Sequence, residues 1–152
     1  MGKEVRKLVV LALPMLLAQV AQVGVGFVDT VMAGAAGKDD LAAVALGSSA
    51  FATVYITFMG VMTALNPMLA QLFGAGRHSE VGEMGRQGIW FGLMLGIIGM
   101  LVLWLSIWPF MAYLDLNDNT EHMMMLYMLF TGLAMPAAMV HRALHAYASS
   151  LN

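Results

Sequence analysis

One acidic side chain lies inside a long apolar stretch near the start of the chain. Asp29 is the only formal charge between Lys7 and Lys38. Gln19 and Gln22 precede it at helical spacing, and residues three or four apart are neighbours on a helix surface. The pattern predicts one polar face on an otherwise apolar helix, formed by Met15, Gln19, Gln22, Gly26 and Asp29.

The chemistry of this face suits an ion or a polar solute. Because lipid supplies no hydrogen-bond partners, we expect the two amides and the carboxylate to face other helices or a water-filled cavity. An ionised carboxylate in the membrane is disfavoured by several kcal/mol unless it is paired, hydrated or protonated. We therefore predict a site for cation or proton coupling, or for substrate binding, made of Asp29 with Gln19 and Gln22 beside it.

A second interpretation of Asp29 stays open at this point. If the helix ended near Phe27, Asp29 would lie hydrated at the membrane interface and would take no part in transport. The uncharged run over residues 30–36 favours the position inside the membrane.

The elements that would hold this site are membrane helices. Of 152 residues, 61% are hydrophobic and 11% charged, with a mean hydropathy of +0.80, whereas a soluble domain carries roughly 25% charged residues. The sequence predicts an all-α, polytopic protein of the lipid bilayer without a separate soluble domain. Four transmembrane helices are expected, at about residues 8–37, 41–76, 87–114 and 123–147. Pro14 removes one backbone hydrogen bond from the first of them and is the predicted bend point, static or moving.

The distribution of basic residues predicts the orientation. Basic residues collect on the cytoplasmic side of membrane proteins. With four spans, only Lys38 falls on the opposite side, so both termini are expected in the cytoplasm. The residues on the cytoplasmic side are Lys3, Arg6, Lys7, Arg77, Arg86 and Arg142.

Several function classes find no support in the sequence. No nucleophile elbow, phosphate-binding loop or zinc-protease motif is present, which argues against an enzyme. A net charge of −2 without a basic tail gives no sign of a nucleic-acid partner. His141 and His145 have helical spacing, but no third ligand lies nearby and the chain has no cysteine, so neither a metal site nor a cofactor is expected.

Two further stripes of residues predict close helix packing. Small residues let helix backbones approach one another in membranes. The second helix presents small and hydroxylic residues, for which packing is favoured over ligand binding: Ser49, Thr53, Thr57, Gly60, Ala64 and Pro67. The third helix presents glycines at intervals of three and four residues: Gly85, Gly88, Gly92, Gly96 and Gly99.

Four ordered motifs resemble those of a known transporter family. They are Ala-Leu-Pro at 12–14, Phe-Val-Asp-Thr-Val-Met-Ala-Gly at 27–34, Asn-Pro-Met-Leu-Ala-Gln-Leu-Phe-Gly-Ala-Gly-Arg at 66–77 and His-Arg-Ala-Leu-His-Ala-Tyr at 141–147. Together they make the chain similar, along essentially its whole length, to the multidrug and toxic compound extrusion (MATE) family. Within that family they resemble the bacterial NorM branch.

This resemblance implies a cation-coupled antiporter of the bacterial inner membrane. Such a transporter has twelve helices in two six-helix lobes and exports cationic or amphipathic drugs in exchange for Na⁺ or H⁺, without another cofactor. Asp29 matches the acidic residue of the first helix that takes part in cation coupling or substrate binding, and Pro14 matches the proline at which that helix bends.

The chain departs from the family pattern in its length. It stops after the fourth helix, so the resemblance implies a partial N-terminal lobe that depends on missing C-terminal helices and is inactive alone. Two alternatives remain at this stage: a noncatalytic membrane module for helix packing or interaction, and a flippase for lipid-linked substrates from a related superfamily.

Overall fold

The computed structural model describes residues 2–114 and 116–150, with side chains from Val9 onward except that of Leu11. The described residues form helices joined by short connections, without a strand. The helices are α1 (Gly2–Ala36), α2 (Lys38–Thr63), α3 (Leu65–Gly74), α4 (His78–Tyr113) and α5 (Asp118–Ser150).

Four segments are long and apolar enough to cross a membrane, which confirms the predicted all-α architecture with four spans. α2 and α3 together make the second span. The helices are longer than the charge-free stretches suggest, because α4 begins at His78 and α5 continues to Ser150. Surface ion pairs support the first turns of α4, where Arg86 Nη2 lies 2.9 Å from Glu83 Oε2, three residues away.

The second span is interrupted at Ala64, where α2 ends and α3 begins. Pro67 explains the position of the break. It has no N–H to donate to the carbonyl of Thr63, and its ring crowds that same carbonyl. α3 then ends in a tight turn at Gly76, whose φ of +73° is readily adopted only by a residue without a Cβ atom.

The centre of the bundle is the contact between α4 and α5, which run antiparallel. A Cβ atom on Gly92 would lie 2.9 Å from the carbonyl oxygen of Met139, and one on Gly96 would overlap the backbone of Pro136. The other glycines of this face also meet the chain itself: Gly85 meets Tyr147, Gly88 meets Leu65, and Gly99 meets Met135 and Phe58. The predicted glycine packing face of α4 is therefore filled by α2, α3 and α5.

The side chains buried between the helices are largely methionine, leucine and alanine. α5 contributes four fully buried methionines, Met124, Met128, Met135 and Met139. These unbranched side chains can follow the irregular gaps that glycine faces leave. α1 stands apart from this core. It packs against α2, and its described side chains from Val9 to Met32 are exposed.

The hydroxylic stripe of α2 does not take part in the described helix packing. Ser49, Thr53 and Thr57 are exposed, and each donates to a carbonyl one turn earlier in α2, at 2.7–2.8 Å. Within the described residues, the packing predicted for this stripe is therefore absent.

Gly96→Ala should lower the free energy of unfolding by about 1–3 kcal/mol, the usual cost of overfilling a packed core. The added Cβ meets the backbone at Pro136, so α5 itself must move. Gly82→Ala on the same helix is the matched control, because nothing lies within 4 Å of its Cβ position. Thermal unfolding in detergent measures both, and an equal unfolding temperature for the two variants would contradict the close α4–α5 contact.

Candidate functional site

Asp29 lies at a cavity of about 440 Å³ between α1, α2 and α5. Gly26 and Asp29 come from the predicted polar face of α1. α2 contributes Ser48 and α5 contributes Tyr127. Thr30, Met32 and Val44 complete the lining.

Tyr127 reaches the cavity because α2 has a glycine opposite its ring. A Cβ atom on Gly47 would lie 2.5 Å from Cδ1 of Tyr127. The ring therefore lies directly against the backbone of α2. Two residues further along α5, the carbonyl of Leu129 accepts a hydrogen bond from the indole of Trp104 at 3.4 Å, which ties this part of α5 to α4.

The polar groups of the cavity are oxygen atoms. Thr30 Oγ1 donates to the carbonyl of Gly26 at 2.8 Å, and Ser48 Oγ donates to the carbonyl of Ala45 at 3.2 Å. Since each hydroxyl hydrogen is engaged within its own helix, the oxygen lone pairs remain to accept from, or coordinate, a bound group. A carboxylate with neutral hydroxyl oxygens suits a proton or a hard cation.

The structure brings together only part of the predicted site. All three side chains are exposed on α1, but only Asp29 lines the cavity, and Gln19 and Gln22 do not. Along a helix axis these amides lie about 15 and 10 Å from Asp29. Pro14 is also exposed, and α1 continues through it as one helix.

Sequence reasoning missed Ser48 and Tyr127. Ser48 is adjacent to the stripe that begins at Ser49, and Tyr127 stands in a methionine-rich segment without a motif. One signal could have found them. Counted from the predicted external ends of their spans, Asp29, Ser48 and Tyr127 lie eight, seven and four residues inside, hence within about 6 Å of one another in depth.

In the described residues, no three His, Cys, Asp or Glu side chains cluster to hold a metal ion. The rings of His141 and His145 lie 6.4 Å apart between centroids, and both are exposed.

Comparison with known proteins identifies the family. The MatE family model matches residues 14–152. The chain belongs to the MatE family. This family comprises transporters, which confirms the expectation that the chain is not an enzyme. No solved structure shows significant similarity to this chain.

Three curated relatives are proteins named probable multidrug resistance protein NorM. Those of Neisseria meningitidis serogroups A and B are 77% and 76% identical over 150 residues, or 99% of this MatE chain. That of Chromobacterium violaceum is 51% identical over 148 residues, or 97% of the chain. The chain spans about one third of the length of these relatives, 33%, 33% and 32% respectively.

Gly47→Ala should release the ring of Tyr127 from the surface of α2. The new Cβ occupies the position of the ring edge, so nitration of Tyr127 by tetranitromethane, followed by mass spectrometry, should become several-fold faster. Gly60→Ala, also on α2, is the control because nothing lies within 4 Å of its Cβ position. Equal nitration in both variants would show that Tyr127 does not depend on Gly47 for its place.

Proposed function

We propose that this chain forms the cation-coupling part of a multidrug efflux antiporter. The transporter exports cationic or amphipathic compounds and takes Na⁺ or H⁺ in exchange. Family membership supports the transporter class. The observation that carries the site assignment is the position of Asp29 at a cavity that Ser48 and Tyr127 also line.

The exchange follows from competition for one negative charge. A proton, a Na⁺ ion or a drug cation can each neutralise Asp29, and the carboxylate is costly to leave ionised and unpaired near lipid. Binding of the coupling ion therefore releases the drug cation. When the coupling ion leaves in turn, Asp29 is free to bind another drug cation. Ser48 and Tyr127 supply neutral oxygen atoms that can replace water around a small cation.

Gln19 and Gln22 extend this polar face from the cavity along α1. Their amides offer hydrogen bonds to a solute that moves along the helix without adding charge. Pro14 lies further along α1 and acts as its bend point, because it has no N–H to donate to the carbonyl of Val10. Movement of α1 is compatible with its few contacts to the rest of the described chain.

Transport requires a second half that rocks against this one. Secondary transporters commonly place the substrate site between two structural repeats. We assign the second half to the remainder of the full-length relatives, of which this chain spans about one third. The four described spans alone are then inactive as a pump.

The chain is a multi-pass membrane protein, and we propose that it lies in the bacterial inner membrane with its termini in the cytoplasm. Arg77 and Arg86 lie at the end of α4 that meets Tyr147, near Arg142, whereas Lys38 lies at the opposite end. This distribution supports the orientation by the positive-inside rule. The side chains of Lys3, Arg6 and Lys7 fall outside those described.

Asp29→Asn, made at the matching position of a full-length relative, should abolish most of the drug resistance while leaving the protein in the membrane. The amide keeps the size of the side chain but cannot exchange a charge. Asp40→Asn is the matched control, since Asp40 lies in the first turn of α2, outside the cavity. Growth on a cationic dye with an immunoblot of membranes measures both, and full resistance in the Asp29 variant would remove this residue from the mechanism.

Na⁺ should compete with a cationic dye for Asp29, because one carboxylate neutralises one cation at a time. Fluorescence polarisation of the dye in rising NaCl at constant ionic strength measures this competition. The Asp29→Asn variant should lose it, and an unchanged effect of NaCl in that variant would assign the competition to another group.

A further inference from the structure

Two tryptophans lie far apart on the same face of α4. Trp90 and Trp108 are separated by eighteen residues, which is five helical turns and about 27 Å along the axis. Both side chains are exposed, Trp90 by 69% and Trp108 by 78%. The hydrocarbon core of a bilayer is about 30 Å thick, and tryptophan concentrates at its two boundaries.

The surface between these tryptophans is apolar and unlike a helix-packing face. Residues 91–107 contain no ionisable side chain, and Leu105 within them is 74% exposed. Membrane helices pack through small residues, and the three glycines of this stretch, Gly92, Gly96 and Gly99, lie on the opposite side, against the bundle. The outer face instead carries bulky side chains: Trp90, Met94, Ile97, Leu101, Leu105 and Trp108.

Along α4, the nearest polar side chains outside the two tryptophans are Gln87, three residues before Trp90, and Tyr113, five residues after Trp108. On one side Gln87 donates to Glu83 Oε1 at 3.0 Å, and Arg86 pairs with the same carboxylate. On the other side α4 ends at Tyr113, which is 86% exposed.

The third tryptophan of the chain provides a contrast. Trp104 points inward, where its indole meets Gly132 and donates to Leu129. An indole four residues from Trp108 is thus placed in the bundle and not on the outer face.

We propose that this face of α4 is the lipid-contacting surface of the protein, with Trp90 and Trp108 at the two boundaries of the hydrocarbon core. The acyl chains of the bilayer cover the bulky residues between them. The first turns of α4, from His78 to Gln87, then project about 15 Å beyond the hydrocarbon. The surface ion pairs of this segment lie among headgroups and water.

This position also fixes the depth of the cavity. Gly132 packs on Trp104, and Tyr127 lies five residues earlier in the antiparallel α5, about 7.5 Å nearer the end of α4. Tyr127, and with it the cavity of Asp29, therefore lies at the level of Trp108. We assign the site to the boundary region of one leaflet and not to the bilayer centre.

Spin labels on this face test the proposal. The chain has no cysteine, so single cysteines at Met94, Ile97, Leu101 and Leu105 can each carry a nitroxide while the tryptophans stay in place. In vesicles of phosphatidylethanolamine and phosphatidylglycerol, power-saturation EPR compares collision with O₂, which concentrates in the bilayer centre, and with a water-soluble nickel chelate. The ratio of O₂ collision to nickel-chelate collision should be several-fold higher at Ile97 and Leu101 than at Arg86→Cys, the control outside the hydrocarbon core.

Each alternative arrangement gives its own result. Labels that neither reagent reaches would mean that another helix or a second copy covers the face, and would overturn the proposal. High access of the nickel chelate along the whole face would indicate a water-filled passage and would overturn it equally. A ratio of O₂ to nickel-chelate collision that rises steadily from Met94 to Leu105, without a maximum between them, would place Trp108 deep in the hydrocarbon. That result would also overturn the proposal.

Tryptophan fluorescence provides a measurement without cysteine substitution. In Trp104→Phe, only Trp90 and Trp108 emit. Lipids brominated near the headgroup should quench this emission several-fold more strongly than lipids brominated near the chain end. The reverse order would place both indoles deep in the bilayer and reject the assignment.

Discussion

The close approach of α4 and α5 determines where the other described elements lie. Main-chain atoms of Met139 and Pro136 occupy the space where Gly92 and Gly96 lack a side chain. In lipid, where apolar burial offers little net gain, such contact is a principal source of helix association. It sets the register of the two helices, and α5 in turn supplies the methionines against which α2 and α3 pack.

The position of the candidate site depends on the register of α4 and α5. Tyr127 lies on α5, and the contact of its ring with Gly47 determines where α2 packs against α5. Ser48 follows Gly47, so the residue that admits the ring also brings a hydroxyl to the cavity. α1 adds Asp29 from the least enclosed helix of the described chain. A sparsely packed helix with the charge, set against a closely packed pair with neutral oxygens, suits the exchange of ions proposed for Asp29.

Much of the fold could be predicted from sequence because lipid imposes simple rules. Length and apolarity identified four spans, and glycine spacing identified the packed face of α4. The break at Ala64 was missed, although Pro67 indicates it, because hydropathy does not register a missing N–H.

The site was predicted only around Asp29. Ser48 and Tyr127 come from other helices, and helical spacing relates only residues of one helix. Gln19 and Gln22 share the face of Asp29, but the cavity spans only about two turns of α1, from Gly26 to Met32, so they lie beyond it.

The sequence left two interpretations of Asp29 open, a site inside the membrane and a hydrated position at its interface. The proposed depth of the cavity is compatible with elements of both. A carboxylate at the bilayer centre would be held neutral, whereas one in bulk water would bind a cation only weakly. In the proposed membrane position, the cavity lies at the level of Trp108, where water and headgroups meet the protein. A hydrated cation can reach the carboxylate at that level, and the surrounding helices strengthen the attraction between the two charges. Hydration from one side and enclosure on the other would allow Asp29 to bind an ion and to release it.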